Sequence, residues 1–212
     1  MRGQIERYWQ QMTAVSPSIP YAAMERVADE LLDCHRRGGT IFVLGNGGSA
    51  ATASHFACDL AKGTRCVGRP AFRVVPLTDN VPLITAWGND TSYDNVFAEQ
   101  LAALVRPGDV VVIISASGNS PNVLRAADVA REERATVIAL TGASGGALAP
   151  RADIGVRVPL ASMEQVEDAH LIMAHSLCVA LRAELQRAVT DEIAVASSFN
   201  LSVTDLTAVN LE

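Results

Sequence analysis

The chain has 212 residues, of which 49% are hydrophobic and 19% are charged, and its formal net charge at pH 7 is −6. This apolar content excludes a disordered chain and is sufficient for the core of one α/β domain. The net negative charge argues against nucleic acid as the main partner, because phosphate backbones favour clustered basic side chains. No apolar run approaches about 18 residues, so we expect no membrane span.

The cysteines and the first residues bear on cellular location. Cys34, Cys58, Cys66 and Cys178 are scattered and form no Cys-x-x-Cys pair. This pattern is typical of reduced thiols, and four cysteines are too few for a fold that is built on disulfides. The first residues contain no apolar segment of the kind found in signal peptides. We therefore expect a cytoplasmic protein.

Two helices are predicted before the first strand. The apolar residues of the first helix recur at the spacing of one helical face: Ile5, Tyr8, Trp9 and Met12. A second helix is predicted over residues 21–37, because the pair Gly38-Gly39 is a good signal for a helix end. Two helices in this position are unusual for a nucleotide-binding domain.

The middle of the chain alternates short apolar segments with helical stretches. The apolar segments predict five strands, at residues 40–44, 72–77, 109–114, 136–140 and, more weakly, 154–159. Helices are predicted between and after them, at residues 49–62, 93–105, 122–134 and 163–187. Three of the strands are apolar at nearly every position, which is typical of parallel strands covered by helices on both faces. The sequence therefore predicts an α/β fold, a doubly wound parallel five-stranded sheet flanked by helices.

The loop after the first predicted strand is rich in glycine and opens a helix. Its sequence, Gly45-Asn46-Gly47-Gly48-Ser49-Ala50, formally satisfies the G-x-G-x-x-A fingerprint of dinucleotide-binding domains. The acidic residue that such domains carry about twenty positions further on is absent. The nearest candidate, Asp79, lies about thirty residues past the loop. A dinucleotide-dependent oxidoreductase is therefore a disfavoured alternative.

The loop after the third predicted strand favours a phosphate site. It carries three serines and an amide directly before a proline that begins the next helix: Ser115, Ser117, Asn119, Ser120 and Pro121. Hydroxyl groups and free backbone N–H groups at the positive end of a helix can cradle a phosphate without any basic side chain. A simple serine–glycine turn with a helix cap is the alternative interpretation. Residues 141–146, after the fourth strand, offer similar chemistry.

These loops together resemble one domain family. The segments Gly45-Asn-Gly-Gly-Ser49, Ser115-x-Ser-Gly-Asn-Ser120 and Leu140-Thr-Gly142 are similar to the SIS (sugar isomerase) domain, which binds phosphorylated sugars. More narrowly, Gly88-Asn89-Asp90, the segment Ser-His-Phe-Ala at residues 54–57 and residues 167–175 resemble phosphoheptose isomerases. The resemblance extends from about residue 2 to residue 187. We therefore predict one SIS domain over residues 1–190, including the N-terminal helices, and a tail of unknown structure at residues 191–212.

The resemblance implies an aldose–ketose isomerase that converts sedoheptulose 7-phosphate to a D-glycero-D-heptose 7-phosphate through an enediolate. A carboxylate and a histidine move the protons in this family, and the matching positions are Asp59 and His175. The positions that it implies as substrate contacts are Asn46, Gly47, Gly48, Ser49, Asn89, Asp90, Ser115, Ser117, Asn119, Ser120 and Glu167. His170 matches no catalytic position, and we expect it to pack behind the site.

The resemblance also implies a metal ion. One zinc ion per subunit can lie among the polar groups of the site, with ligands drawn from His55, Asp59, Glu167 and His175. Two of these depart from the family pattern, because Asp59 stands where the family has Glu and Glu167 where it has Gln. Positions 167 and 175 are separated by about 12 Å of helix rise. Both therefore reach one ion only at full extension or from different subunits.

Subunit association and the competing function follow from the same comparison. The resemblance implies a homotetramer with sites at subunit interfaces, where the stripe that bears Tyr8 and Trp9 would be buried. A non-catalytic SIS protein that binds a sugar phosphate and acts through a protein partner is the alternative function. Retention of His55, Asp59 and His175 argues against it, since such proteins lack the acid–base pair. We expect a phosphorylated seven-carbon sugar as ligand, and neither nucleic acid nor a membrane as partner.

Overall fold

A parallel sheet of five strands forms the centre of the computed structural model, which describes residues 1–198 and, for side chains, residues 1–195. The strands are β1 (Thr40–Gly45), β2 (Arg73–Pro76), β3 (Val110–Ser115), β4 (Thr136–Gly142) and β5 (Ile154–Val158). Their order is β2-β1-β3-β4-β5, and every neighbouring pair is parallel. The order reverses between β1 and β3, and open sheets of this kind bind ligands at such a switch point.

Helices surround the sheet. Within residues 1–198 they are α1 (Arg2–Val15), α2 (Tyr21–Arg36), α3 (Gly48–Cys58), α4 (Val81–Asp90), α5 (Ala98–Leu104), α6 (Pro121–Glu132) and α7 (Met163–Ser198). A π-helical turn, Asp59–Gly63, directly continues α3. None of the helices in this part of the chain combines the length and the apolar character that a membrane crossing requires.

The sheet is covered on both faces because its central strands are apolar on both faces. Ile41 and Val43 of β1 pack in one buried cluster with residues of α2, α3 and α7. Phe42 and Leu44, which alternate with them, pack in a second cluster with residues of α5 and α6. All residues of β3 are buried. The predicted α/β fold, with two helices before the first strand, is therefore confirmed.

The region between β2 and β3 differs from its prediction. Residues 93–105 contain a 3₁₀ turn, Tyr93–Asn95, and only then α5, while α4 lies outside the predicted helices. Asn80 caps α4, because its Oδ1 accepts a hydrogen bond from Leu83 N at 3.2 Å. Gly88 and the β-branched residues of α4 weaken its helical pattern in the sequence, so the cap and the proline in the first turn are the features that mark the helix.

The first helix, α1, is attached to α7 by polar contacts. The hydroxyl of Tyr8 donates a hydrogen bond to Oδ2 of Asp168 at 2.5 Å. This contact is the main cause that raises the pKa of Tyr8 to about 12. Ile5 and Trp9, on the predicted apolar stripe, are 58% and 69% exposed. These two side chains are therefore not used to pack α1 on its own subunit, whereas Met12 of the same stripe packs against the buried cluster that contains Ile41 and Val43.

The last helix is longer than predicted. α7 continues past residue 187 to Ser198, so residues 191–198 are helical, and residues 199–212 lie outside the described part of the chain. Arg69, in the loop before β2, forms an ion pair with Glu192 and ties this extension to the sheet. The division into a domain at residues 1–190 and a tail at residues 191–212 stays a prediction.

Candidate active site

The candidate site lies along α3 and α7, which pack side by side and run in the same direction. Three contacts at similar intervals define their register: Gly48 with Glu167, His55 with His175, and Gly63 with Arg182. α3 begins just after β1, and α7 follows β5 at the far edge of the sheet. Groups at the same height on the two helices therefore meet although they are distant in the chain.

Two histidines and one carboxylate meet in the middle of this helix pair. The Nε2 atoms of His55 and His175 are 3.0 Å apart. Oδ2 of Asp59 lies 3.4 Å from the Nε2 atom of His55 and 3.6 Å from that of His175. His55 and Asp59 share one helical face, as their spacing of four residues predicts. The side chains of the two histidines are 48% and 46% exposed, so a ligand can reach them from solvent.

These three atoms have the spacing of metal ligands. Nitrogen and oxygen ligands at about 2.0 Å from a tetrahedral zinc ion lie about 3.3 Å from each other. The separations in this group are 3.0, 3.4 and 3.6 Å. Two imidazole nitrogens that face each other at this distance either share a hydrogen or direct both lone pairs at one ion. His55, Asp59 and His175 could therefore hold a metal ion.

Glu167, the fourth predicted ligand, is not part of this group in the described chain. Its carboxylate lies against Gly48 at the start of α3, where a Cβ on Gly48 would be 2.4 Å from Oε2. Gly48 and His55 are seven residues apart, which corresponds to about 10 Å along the helix. The rise along both helices thus separates Glu167 from the histidines of its own subunit, and the structure does not bring all four predicted ligands together.

The serine loop between β3 and α6 is held in shape by its own hydroxyl groups. Oγ of Ser115 accepts a hydrogen bond from Gly118 N at 3.1 Å, and Oγ of Ser117 accepts one from Asn119 N at 3.2 Å. Gly118 has a φ of +64°, and a Cβ there would lie 2.2 Å from the carbonyl oxygen of Gly145. Only glycine fits this position, so the loop conformation is strongly determined.

The start of α6 offers groups that an anion could use. Ser120 is the residue before the helix, and in the described chain its hydroxyl makes no capping hydrogen bond. The first backbone N–H groups of a helix have no partners inside the helix and attract negative charge. Oδ1 of Asn119 accepts a hydrogen bond from Ala147 N at 2.9 Å, which fixes the serine loop to the loop after β4.

An amide pair joins the glycine loop to α6. Nδ2 of Asn46 donates to Oδ1 of Asn122 at 2.8 Å, and Nδ2 of Asn122 donates back to Oδ1 of Asn46 at 2.9 Å. The hydroxyl of Tyr93 donates to the same Oδ1 of Asn46 at 3.1 Å. Asn122 and Tyr93 are missing from the predicted site. No local sequence signal indicates this brace, because Asn46 and Asn122 are 76 residues apart in the chain.

Asp79, just before α4, and Asp90, the last residue of α4, have different surroundings. Asp79 accepts hydrogen bonds from the hydroxyls of Ser54 and Thr78, and so braces α3 against the end of β2. The dinucleotide interpretation thereby loses its acidic candidate. Asp90, at the end of α4, is exposed and accepts a hydrogen bond from Nδ2 of Asn89 at 2.8 Å. The roles of Asn89 and Asp90 as substrate contacts stay predictions.

His170 is buried on α7, behind the exposed groups. Its side chain is 0% exposed, and among the described residues neither ring nitrogen makes a hydrogen bond of good geometry. Burial lowers the pKa of His170 to about 4, although an interaction with the backbone of Thr141 acts in the opposite direction. The ring is therefore neutral at pH 7, and the predicted packing position is confirmed.

Fold and site together define a class of protein. Loops rich in glycine and serine follow β1 and β3 at the switch point of the sheet, and the helix that the first loop opens carries His55, which lies beside Asp59. A family model described as the SIS domain matches residues 7–142. The phosphoheptose isomerase of Shewanella loihica is 40% identical over 159 residues, which are 74% of this chain and 80% of that protein.

Further comparisons agree with this class. The phosphoheptose isomerase of Rhodospirillum rubrum is 45% identical over 143 residues, which are 68% of this chain and 76% of that protein. The solved structure of the phosphoheptose isomerase of Neisseria gonorrhoeae is 33% identical, with a TM-score of 0.80, and the match covers 86% of this chain and 98% of that one. The chain therefore belongs to the SIS domain family and, within it, to the phosphoheptose isomerases.

Proposed function

We propose that this protein is an isomerase that converts sedoheptulose 7-phosphate to D-glycero-D-heptose 7-phosphate. The observation that carries the proposal is the group of His55, Asp59 and His175, whose reactive atoms lie 3.0–3.6 Å from one another on two parallel helices. Relatives that match over most of their length bear the name phosphoheptose isomerase, which supports a seven-carbon sugar phosphate as substrate.

The phosphate group of the substrate would be bound by the serine loop and the start of α6. Ser120 supplies a hydroxyl that makes no capping hydrogen bond in the described chain. The backbone N–H of Asn122 would add a donor, since Pro121 has no N–H and Val123 N donates to the carbonyl of Ser120 at 3.1 Å. Ser115 and Ser49 are buried, 6% and 4% exposed, so they mainly shape the cradle. Ser117, whose hydroxyl holds the turn, completes it. The predicted phosphate contacts therefore divide into groups that bind and groups that support.

Asp59 and His175 would move the protons. A ketose becomes an aldose when a proton leaves C1, the electron pair of that C–H bond forms an enediolate, and a proton is delivered to C2. The hydrogen on O1 moves to O2 in the same conversion. We assign the proton transfers at carbon to Asp59, because a carboxylate can act as a base at neutral pH. His175 would carry the hydrogen between the oxygens while its Nε2 atom is free of metal, because an imidazole can both donate and accept only where it keeps that lone pair.

We also propose that the metal ion is zinc, one per subunit. Two imidazole nitrogens and one carboxylate oxygen, from His55, His175 and Asp59, form a common set of zinc ligands that leaves one position open. Bound zinc would supply Lewis acidity to the oxygens on C1 and C2. Because Glu167 lies at the other end of the helix pair, against Gly48, the open position would take water or substrate.

A homotetramer with sites at subunit interfaces would complete the cleft. Ile172 and Val179 flank His175 on one face of α7, and they are 59% and 57% exposed. An apolar groove of about 320 Å³, between α1, α2 and α7, adjoins this face and includes Ile172 in its wall. A second copy that covers these side chains would also shield the half-exposed histidines from water.

The alternative function is a non-catalytic domain that binds a sugar phosphate and acts through a protein partner. Such a domain does not need a carboxylate and two histidines held at ligand distance, so the geometry of the site favours the enzyme. We retain the cytoplasm as the proposed location, because the four cysteines are free and free thiols suit a reducing compartment.

Incubation of the protein with sedoheptulose 7-phosphate tests the proposal. Proton NMR should show a new aldose signal whose couplings also report the configuration at C2. Sedoheptulose without its phosphate is the control, and it should react far more slowly because it lacks the group bound by the serine loop. Binding of the phosphorylated sugar without any aldose signal would favour the non-catalytic alternative.

A further inference from the structure

The three glycines of the loop after β1 are glycine for different reasons. A Cβ on Gly45 would lie 2.7 Å from the carbonyl oxygen of Ile114, so backbone packing excludes a side chain there. Gly47 has a φ of +55° and open space around it, so its conformation is the constraint. Gly48 belongs to neither case, because it lies inside α3 and its φ is not in the left-handed region.

At Gly48 the space for a side chain is filled by the carboxylate of Glu167. A Cβ there would lie 2.4 Å from Oε2, 2.5 Å from Cδ and 2.6 Å from Oε1. All three atoms belong to the far end of a flexible side chain, so a methyl group at position 48 would displace the carboxylate and leave the backbone in place. The start of a helix attracts a carboxylate, which gives Glu167 a reason to remain there.

We propose that Gly48 is a positioning residue for Glu167. Because Gly48 has no side chain, it leaves a space at the start of α3 that holds the carboxylate of Glu167, and this space is called the seat. The inference rests on the proposed function and on the role that the resemblance implies for Glu167, a contact with the sugar. It differs from the role implied by the resemblance, in which Gly48 itself contacts the substrate.

The seat has a chemical purpose for a substrate with many hydroxyl groups. A carboxylate only accepts hydrogen bonds, and those that it accepts are stronger than bonds between neutral groups. Held at the start of α3, Glu167 can accept from hydroxyls of the sugar, while the uncapped start of α6 remains for the phosphate. A carboxylate that is displaced by a methyl group on residue 48 would lose these hydrogen bonds.

Four variants and one control form the test. The variants are Gly48→Ala, Glu167→Ala, the double variant of these two, and Gly48→Ala combined with Glu167→Asp, which shortens the side chain by one methylene. Gly155→Ala, in β5, is the matched control, because a Cβ there meets nothing within 4 Å. The measurements are kcat and KM with sedoheptulose 7-phosphate, the melting temperature, and the crystal structure of Gly48→Ala.

We expect Gly48→Ala to lower kcat/KM roughly tenfold or more, mainly through KM, with a melting temperature close to that of the wild type. The double variant should be no worse than Glu167→Ala alone, and Glu167→Asp should recover much of the loss caused by the alanine. Gly155→Ala should match the wild type. A merely structural role for Gly48 would lower the melting temperature and would not be rescued by aspartate.

The outcomes separate this inference from the proposed function. If the wild type isomerises the sugar but Gly48→Ala matches it, or the losses of the single variants multiply in the double variant, Gly48 does not act through Glu167. If the wild type is inactive, the proposed function fails and the crystal structure decides the inference. A carboxylate displaced by the alanine then supports the seat, and one that stays in place overturns it.

Discussion

His55 and His175 face each other with their Nε2 atoms 3.0 Å apart, although 120 residues separate them in the chain. The contact exists because α3 and α7 run parallel and bring residues of equal height together. It leaves two imidazole nitrogens that need either one shared hydrogen or one shared cation. The metal content of the protein is therefore the most direct check of this arrangement.

Purified protein should contain about one zinc ion per chain, since each chain carries one set of three ligands in its described part. His55→Ala should lose most of this metal together with activity, as measured by elemental analysis and by the NMR assay. His35→Ala removes a histidine outside the group, one that contacts the carbonyl of Pro70, and it should keep the metal. Metal-free protein that stays fully active after exhaustive chelation would show that the ion is not catalytic.

Asp59 should be required for chemistry rather than for binding. Asp59→Asn and His175→Ala should each lower kcat by about a hundredfold or more with little change in KM, and the double variant should lose much less than the product of the two. Steady-state kinetics of the three variants measure this directly. A normal kcat in Asp59→Asn would remove Asp59 as the base.

Asp59→Glu tests whether the backbone of α3 already positions the shorter aspartate side chain for catalysis. Oδ2 of Asp59 lies 3.4 and 3.6 Å from the two histidine nitrogens, so a further methylene would push the carboxylate into them. We expect kcat to fall, because a displacement of about 1 Å can cost on the order of a hundredfold in rate. Equal or higher activity would mean that the site accepts the glutamate typical of the resembled family.

The hydroxyl of Ser120 should affect substrate affinity alone. Ser120→Ala should raise KM severalfold with kcat nearly unchanged, because this hydroxyl makes no capping hydrogen bond in the described chain. Ser115→Ala combined with Ser117→Ala should raise KM further, since both hydroxyls also hold the loop. Ser18→Ala, in an exposed turn, is the control. An unchanged KM in the folded double variant would remove the serine loop as the phosphate site.

His170 should make the folded protein sensitive to acid. Its pKa is about 4 in the folded chain and 6.5 in the reference state, so the unfolded chain binds more protons between these values. The contribution of neutral His170 to the free energy of unfolding should therefore be fully present above pH 6.5. The free energy of unfolding should then fall by about 3 kcal/mol as the pH drops towards 4. Urea unfolding at several pH values measures this.

His170→Leu isolates the effect from that of the carboxylates. This variant should be at least as stable as the wild type at pH 7, because both ring nitrogens lack hydrogen bonds of good geometry in the described chain. It should also lose less stability between pH 6.5 and 4. Parallel curves for the two proteins would show that His170 does not contribute.

The exposed face of α7 should be a subunit interface. Ile172→Glu and Val179→Glu should each yield a smaller assembly with reduced activity, because a buried charge opposes association. Leu104→Glu is the control, because Leu104 is 47% exposed on α5, which packs on the opposite face of the sheet. Sedimentation velocity gives the assembly sizes. Wild-type protein that sediments as an active monomer would contradict the proposed tetramer.

The strands could be predicted because their signal is local. β3 is apolar at successive positions, and a short run of this kind between turn signals is typical of a strand that is buried on both faces. α4 could not be predicted in this way, since Gly88 interrupts its pattern and its start depends on the cap at Asn80 and on Pro82 in its first turn. Where a local pattern is weak, tertiary packing decides the structure.

The contacts of the candidate site also differ in how far the sequence predicts them. The pair of His55 and Asp59 follows from a spacing of four residues on one helix. The meeting of Asn46 with Asn122, which are 76 residues apart, depends on the strand order. Helix rise alone predicts that Glu167 lies far from His175, but its contact with Gly48 requires the register of two helices. Contacts across elements are therefore the part that no single segment encodes.

The parallel register of α3 and α7 couples the recognition of the sugar to the chemistry. The reactive atoms and the carboxylate of Glu167 are attached to the same two helices, and one inserted residue in either helix would rotate everything beyond it by about 100° and separate them. The groups assigned to the phosphate lie outside this pair, on the serine loop and at the start of α6. The lengths of the two helices are therefore constrained twice, once by the reactive atoms and once by the contact between Glu167 and Gly48.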